Sequence, residues 1–312
     1  MTGMNRVPPF STFTFILICV LVYVIQVVAN PALQKFTLNP YNVFRGDWYR
    51  IISSPFMHGN FMHILMNMVS YWTLGSTLER KLGSLFMFFT ILWSIIMSSL
   101  FHIAMATAML LWTKGPFYGN SLGFSGVLFH LLVLECNLNP TLSRNIFGML
   151  QMQSKYYPYA LLILIQVIMP NISFLGHLSG IFVGSLQRLW GPMLIPRGEY
   201  LYDWDDRLLC SSCLGNYIDY IQTSRQSIND LYPSYSQPNA SICIVFRQTF
   251  SQLFVLLHNI FETVKFIIVG RNDPLHSDVS RRPLVINDDE ELALTRSRLV
   301  QVENEKNSSA LI

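Results

Sequence analysis

Apolar runs alternate with short polar loops along roughly the first 190 residues. The first run, 12–29, matches the ~20 residues that a helix needs to cross a bilayer. Val-Val-Ala before Asn30 would also suit a secretory cleavage site, but the runs that follow favour a retained helix. After a loop to Met57, a second run covers 59–78 and carries polar residues, His63, Asn67, Ser70 and Tyr71, before Glu79-Arg80-Lys81 closes it. In that loop Trp48-Tyr49-Arg50 is an amphipathic group suited to a membrane interface. The third run, 84–112, exceeds one untilted span, so its end should fray into the next loop. A fourth begins at Ser125, a fifth occupies 159–169 between Pro158 and Pro170, and a sixth covers 172–190. The pattern predicts an all-α polytopic membrane protein with six transmembrane helices in one domain over 10–190.

From Gly191 the character changes, and 191–312 reads as a cytosolic tail. Within 244–268, Phe250, Leu253, Leu257, Phe261, Val264 and Ile268 share one helical face, while Arg247, His258, Glu262 and Lys265 take the other. That segregation predicts an amphipathic helix lying on the membrane or on the spans. A seventh span is the alternative, opposed by the charges near its middle. Residues 271–312 are charged and polar, the composition of disorder, so most of the tail reads as disordered.

Composition sharpens the class. The 312 residues are 51% hydrophobic and 12% charged, with a mean hydropathy of +0.36, against roughly 25% charged for a soluble domain. The net charge of +3 is scattered, which gives no footprint for nucleic acid. Five cysteines suggest no disulfide framework, and Cys210-Ser-Ser-Cys213 is half a zinc site without a second pair. No metal or other cofactor is implied. Of the basic residues in short loops, Arg6, Arg80, Lys81, Arg144, Lys155, Arg188 and Arg197 fall on one side, seven against the four of Lys35, Arg45, Arg50 and Lys114. The positive-inside bias places the richer side, and both termini, in the cytosol.

Chemistry gathers at one stretch. Gly123-Phe124-Ser125-Gly126 joins a polar loop to an apolar helix, so a serine hydroxyl sits where unpaired N–H groups and the positive dipole end lie. Such a serine is either a nucleophile or a helix N-cap. The hydrolase elbow Gly-x-Ser-x-Gly is not matched, because Val127 replaces its last glycine. Spans two, four and six all start on the non-cytosolic side. His63 and Asn67, four apart on one face, therefore share a layer with Ser125 and with His177, near the start of span six. His177, Gly180 and Gly184 share another face, and this small-residue stripe would let span six approach Gly126 and bring His177 to Ser125. A base beside a serine is the minimum for nucleophilic catalysis.

Together, Gly123-Phe124-Ser125-Gly126, His63 with Asn67, His177-x-x-Gly180-x-x-x-Gly184 and the Trp48/Arg50 loop resemble the rhomboid intramembrane serine proteases, over about residues 10–190. Gly-Phe-Ser-Gly-Val-Leu-Phe and Gly-His-Leu-Ser-Gly-Ile are similar to the six-span endoplasmic-reticulum branch with a cytosolic tail. The resemblance implies a Ser125–His177 dyad without an acidic third member. It also implies oxyanion stabilisation by His63 and Asn67, a supporting role for His58, and transmembrane proteins as substrates. The rivals are a non-catalytic scaffold that binds membrane clients, and a transporter using buried histidines as a relay. The latter lacks an inverted repeat and an acidic partner for its histidines. In the tail, Asp288-Asp289-Glu290-Glu291 ahead of Ala293 and Ser297 is similar to a ubiquitin-interacting motif. Glu290 takes the place of its usual apolar residue and Val300 that of its closing acid. A solvated acidic run is the plainer reading.

Overall fold

A computed structural model describes residues 7–29, 32–146, 150–194, 204–205, 219–223 and 262. The expected amphipathic helix at 244–268, apart from Glu262, and the acidic motif lie outside the described residues. The described chain is mostly helical: α1 (Phe10–Ala29), α2 (Pro40–Phe44), α3 (Arg50–Ser53), α4 (Phe61–Leu82), α5 (Ser84–Ala108), α6 (Gly115–Tyr118), α7 (Ser125–Leu138), α8 (Tyr157–Ile168) and α9 (Phe174–Leu194). Two helices among the described residues are long and apolar enough to cross a membrane on composition alone, Phe10–Ala29 and Ser84–Leu111. α4 carries His63, Asn67 and its charged C-terminus, while α7 and α8 have only 14 and 12 residues.

Local sequence sets the boundaries. Asn60 caps α4 by accepting a hydrogen bond from the His63 amide at 2.8 Å, and Gly83, at φ +96°, ends it where other residues would be strained. The third apolar run frays as its length required: α5 stops at Ala108 and a short 3₁₀ turn covers Met109–Leu111. The sixth apolar run predicts a helix end at Trp190, and the helical backbone continues to Leu194. A hairpin absent from the apolar pattern joins α7 to α8. Its strands β1 (Ser143–Ile146) and β2 (Leu150–Gln153) pair antiparallel, with Ser143 opposite Gln153. Arg144 anchors it, donating to Ser154 Oγ at 2.6 Å and pairing with Glu135.

The main core lies among α1, α4, α5 and α7, where Phe15, Tyr71, Leu78, Phe86, Ile91 and Phe124 are buried. A second cluster, Phe129, Val133, Leu162 and Ile181, joins α7, α8 and α9. Two charges that read as surface features are buried. Arg50, 5% exposed, donates to the carbonyls of Gln34 at 2.6 Å and Thr37 at 2.9 Å and pairs with Asp47, so it ties the loop together instead of facing an interface. Glu79, fully buried, accepts from the amides of Ser11 and Thr12, each at 2.7 Å, from Thr12 Oγ1 at 2.7 Å and from Ser84 Oγ at 2.6 Å. Those two amides belong to the first turn of α1, which has no helical acceptors for them. The carboxylate thus caps a helix 67 and 68 residues away.

Candidate active site

The start of α7 is fixed from three directions. Leu38 and Ser121 exchange backbone hydrogen bonds at 2.8 Å each, and the Gly123 amide donates to the Ser54 carbonyl at 3.1 Å. Gly123 has φ +111°, and a Cβ there would lie 2.7 Å from Cε1 of His63. Only glycine lets the loop turn with the imidazole pressed against it. Gly123 therefore serves a turn and a ring contact. Phe124 is fully buried, with Tyr71 edge-on at 5.0 Å and Phe15 at 6.3 Å between ring centroids. Ser125 is the first helical residue. Phe124 occupies the cap position and no side chain caps the helix, so the N-cap reading of Ser125 does not hold.

The glycine stripe does bring α9 onto α7. A Cβ at Gly180 would lie 2.1 Å from the Gly126 carbonyl oxygen, and one at Gly184 would lie 2.6 Å from Val133 Cβ. At this approach His177 Nε2 stands 2.8 Å from Ser125 Oγ. The imidazole is 3% exposed and lies against the Phe129 ring, with centroids 4.7 Å apart. His177 Nδ1 has no hydrogen-bond partner among the described residues. With the proton on Nδ1, Nε2 accepts from the serine hydroxyl, the arrangement a general base needs.

His63 reaches the start of α7, and Asn67 bonds to His63 from one helical turn further on. The Nε2 of His63 lies 2.8 Å from the Cβ position of Gly123, beside the start of α7. The Asn67 amide is turned back along its own helix, donating to the His63 carbonyl at 2.8 Å. That bond uses one of the two N–H donors of the amide and leaves the other for an oxyanion. His58 sits behind them, its ring 5.1 Å from that of His63. The Gln26 side chain grips the His58 backbone, donating to its carbonyl at 2.6 Å. Burial first, then the neighbouring His63, pushes the His58 pKa down to about 4, so it is neutral at ordinary pH.

A cavity of about 50 Å³ opens beside Ser125, lined among others by Ser98, His102, Ser121, Ile172 and Gly176. Nothing in the apolar pattern singles out His102, although it lies four residues from Ser98 on one face of α5. Phe129 was findable, since it stands four residues after Ser125 and so shares its face.

Residues 45–191 match the family model described as Rhomboid domain. The chain carries a rhomboid domain. Over 185 residues it is 32% identical to "Rhomboid-like protein 15" of Arabidopsis thaliana, covering 56% of this chain and 45% of that protein. It is 33% identical over 182 residues to "Rhomboid-related protein 4" of Mus musculus, covering 58% and 53%. It is 30% identical over 189 residues to "Rhomboid-type serine protease 2" of Debaryomyces hansenii, covering 57% and 61%. The chain thus spans about half the length of the curated relatives it matches. The rhomboid match holds Ser125, His177, His63, Asn67 and His58, and leaves α1 and the residues after 191 outside it.

Proposed function

We propose that the protein is an intramembrane serine endopeptidase that cuts transmembrane segments of other membrane proteins near the non-cytosolic face. The observation that carries this reading is the 2.8 Å contact between His177 Nε2 and Ser125 Oγ inside a rhomboid domain. His177 takes the hydroxyl proton as Oγ attacks a peptide carbonyl carbon. The N–H groups at the start of α7, with His63 and the second N–H of Asn67, receive the negative charge that develops on the carbonyl oxygen. The C–N bond breaks, the proton passes from His177 to the departing amine, and water then hydrolyses the acyl ester on Ser125. A transmembrane substrate must unwind at the cut, because its amides are otherwise locked in helical hydrogen bonds.

In this reading α1, α4, α5, α7, α8 and α9 are six spans. At 1.5 Å per residue, the 14 residues of α7 extend about 21 Å, short of a hydrocarbon core about 30 Å thick. The shortfall sets Ser125 below the membrane surface, where the polar loop before it can still admit water. The rhomboid resemblance of the flanking motifs favours the endoplasmic reticulum or another secretory-pathway membrane.

The deciding experiment is co-expression with a panel of single-pass membrane proteins, comparing wild type with Ser125→Ala. A fragment that persists undiminished with a well-folded Ser125→Ala protein would overturn the protease. Binding of clients with no fragment from wild type would support the scaffold instead.

Topology has its own test, motivated by the seven-to-four basic bias. Protease added to sealed microsomes should digest the tail, and the sequons at Asn239 and Asn307 should stay unglycosylated. Protection of the tail would invert the orientation. Ubiquitin is proposed as a tail partner on the Asp288–Glu291 and Ala293 pattern alone. A peptide of residues 285–306 titrated into labelled ubiquitin should shift its NMR signals, and silence at millimolar peptide would remove that partner.

A further inference from the structure

Beyond the rhomboid match, two pieces of chain, 204–205 and 219–223, meet the end of α4 that lies farthest from His63. The first amide of α1 and the first of α5 have no acceptors within their own helices. Both find them here: the Phe10 amide donates to the Asp219 carbonyl at 3.1 Å, and the Ser84 amide to the Ile221 carbonyl at 2.7 Å. The Ile221 amide returns a bond to Ser84 Oγ at 3.0 Å, the same hydroxyl that donates to Glu79. Asp219 pairs with Arg80 at 2.8 Å. Asp205, fully buried, accepts from the Thr223 amide at 2.8 Å and from the Tyr220 hydroxyl. Gly83 shows how close the approach is, since a Cβ there would lie 2.3 Å from Thr223 Cα.

What the two pieces hold is the lever behind the serine. Ser11 and Thr12 of α1 hang on Glu79, and one turn further on Phe15 rests against Phe124. Thr12 and Tyr71 both crowd Gly75 of α4, and Tyr71 is the edge-on neighbour of Phe124. Phe124 immediately precedes Ser125. Packed side chains and buried hydrogen bonds therefore run without a gap from Asp205 to the start of α7.

We propose that Asp205 and residues 219–223 form a clasp from outside the rhomboid domain. It seals the Glu79 carboxylate, fixes the start of α1, and so keeps Phe124 and Ser125 in register with His177. Its members are positioning residues, and their effect on turnover rests on the endopeptidase reading above.

Hydrogen exchange and cleavage kinetics on the full chain in lipid discs test both halves. In wild type the amides of Phe10, Ser84, Ile221 and Thr223 should be protected. Asp205→Ala should release Ile221 and Thr223 and lower kcat about three- to ten-fold with KM unchanged, the size of effect that remote coupling residues produce. Asp205→Asn, which keeps one acceptor oxygen, should recover part of the loss. If Asp205→Ala fails to fold, Tyr220→Phe removes a single hydroxyl and should still speed exchange at Ile221 and Thr223. Exchange of 219–223 at unstructured rates in wild type would overturn the clasp. A released clasp with unchanged kcat would overturn the positioning role. Wild type that cuts nothing would sink the endopeptidase, while the exchange data would still judge the clasp.

Discussion

Ser125→Ala should abolish cleavage of every substrate, and His177→Ala should do the same, with the double variant no worse than either. Residues that work as a unit do not add: in a serine protease each of the two costs about 10⁶-fold in kcat, close to the cost of removing both. Here the coupling is a single contact, Nε2 to Oγ at 2.8 Å, with His177 Nδ1 lacking a partner among the described residues. Among the described residues no acidic third group bonds His177, so none of them is left to activate Ser125 once the imidazole is gone. Asn67→Ala should be milder, slowing kcat by up to about 10²-fold, the lower range for loss of one oxyanion donor. Its amide begins bonded to the His63 carbonyl, which offsets part of its contribution. Single-turnover cleavage of a purified substrate in lipid reads all four variants. A His177→Ala protein that folds and retains even a hundredth of wild-type kcat would break the dyad. An Asn67→Ala protein altered only in KM would remove Asn67 from the oxyanion site.

The site could be read in the sequence because polar residues inside apolar runs are rare and therefore conspicuous. His63, Ser125 and His177 each stand out against their neighbours, and alternating chain direction puts them in one layer. The glycine stripe said which helices would touch. What the sequence could not express is where a polar group spends its hydrogen bonds. Asn67 looks like a free donor from its spacing, yet one of its two N–H groups is given to the His63 carbonyl of its own helix. Glu79 reads as the charged end of a span because Arg80-Lys81 follows it, but its four donors come from Ser11, Thr12 and Ser84, brought there only by the packed bundle. The hairpin at 143–153 escaped for a related reason. Its strands have four residues each, and while Leu150-Gln151-Met152-Gln153 alternates, Ser143-Arg144-Asn145-Ile146 does not, so no second run announces a pairing partner.

Gly180→Val should be the most damaging substitution among the packing residues, although it touches neither member of the dyad. A Cβ at Gly180 would stand 2.1 Å from the Gly126 carbonyl oxygen and 3.1 Å from Phe129 Cβ. The first neighbour is backbone and cannot rotate away, so α9 must retreat from α7. His177 lies three residues before Gly180 on the same face and must move with it. A displacement of about 1 Å in reacting geometry can cost about 10²-fold in rate, while overpacking a tight contact costs about 1–3 kcal/mol of stability. Activity should therefore fall further than the loss of folded protein explains. Gly184→Ala gives the contrast, because its nearest neighbours are the Cβ and Cγ1 of Val133 at 2.6 and 2.9 Å, with the His130 carbonyl oxygen at 3.0 Å. Adding Val133→Ala removes Cγ1 but keeps the Cβ at 2.6 Å, so it should restore only part of the Gly184→Ala loss, whereas no side-chain truncation should rescue Gly180→Val. Gly115→Ala, with only Thr113 Oγ1 at 3.8 Å, should stay within about 0.5 kcal/mol of wild type. Thermal unfolding and kcat measured on the same samples separate the two losses. A Gly180→Val protein that unfolds early but keeps full kcat per folded molecule would show that α9 does not set the distance from His177 to Ser125.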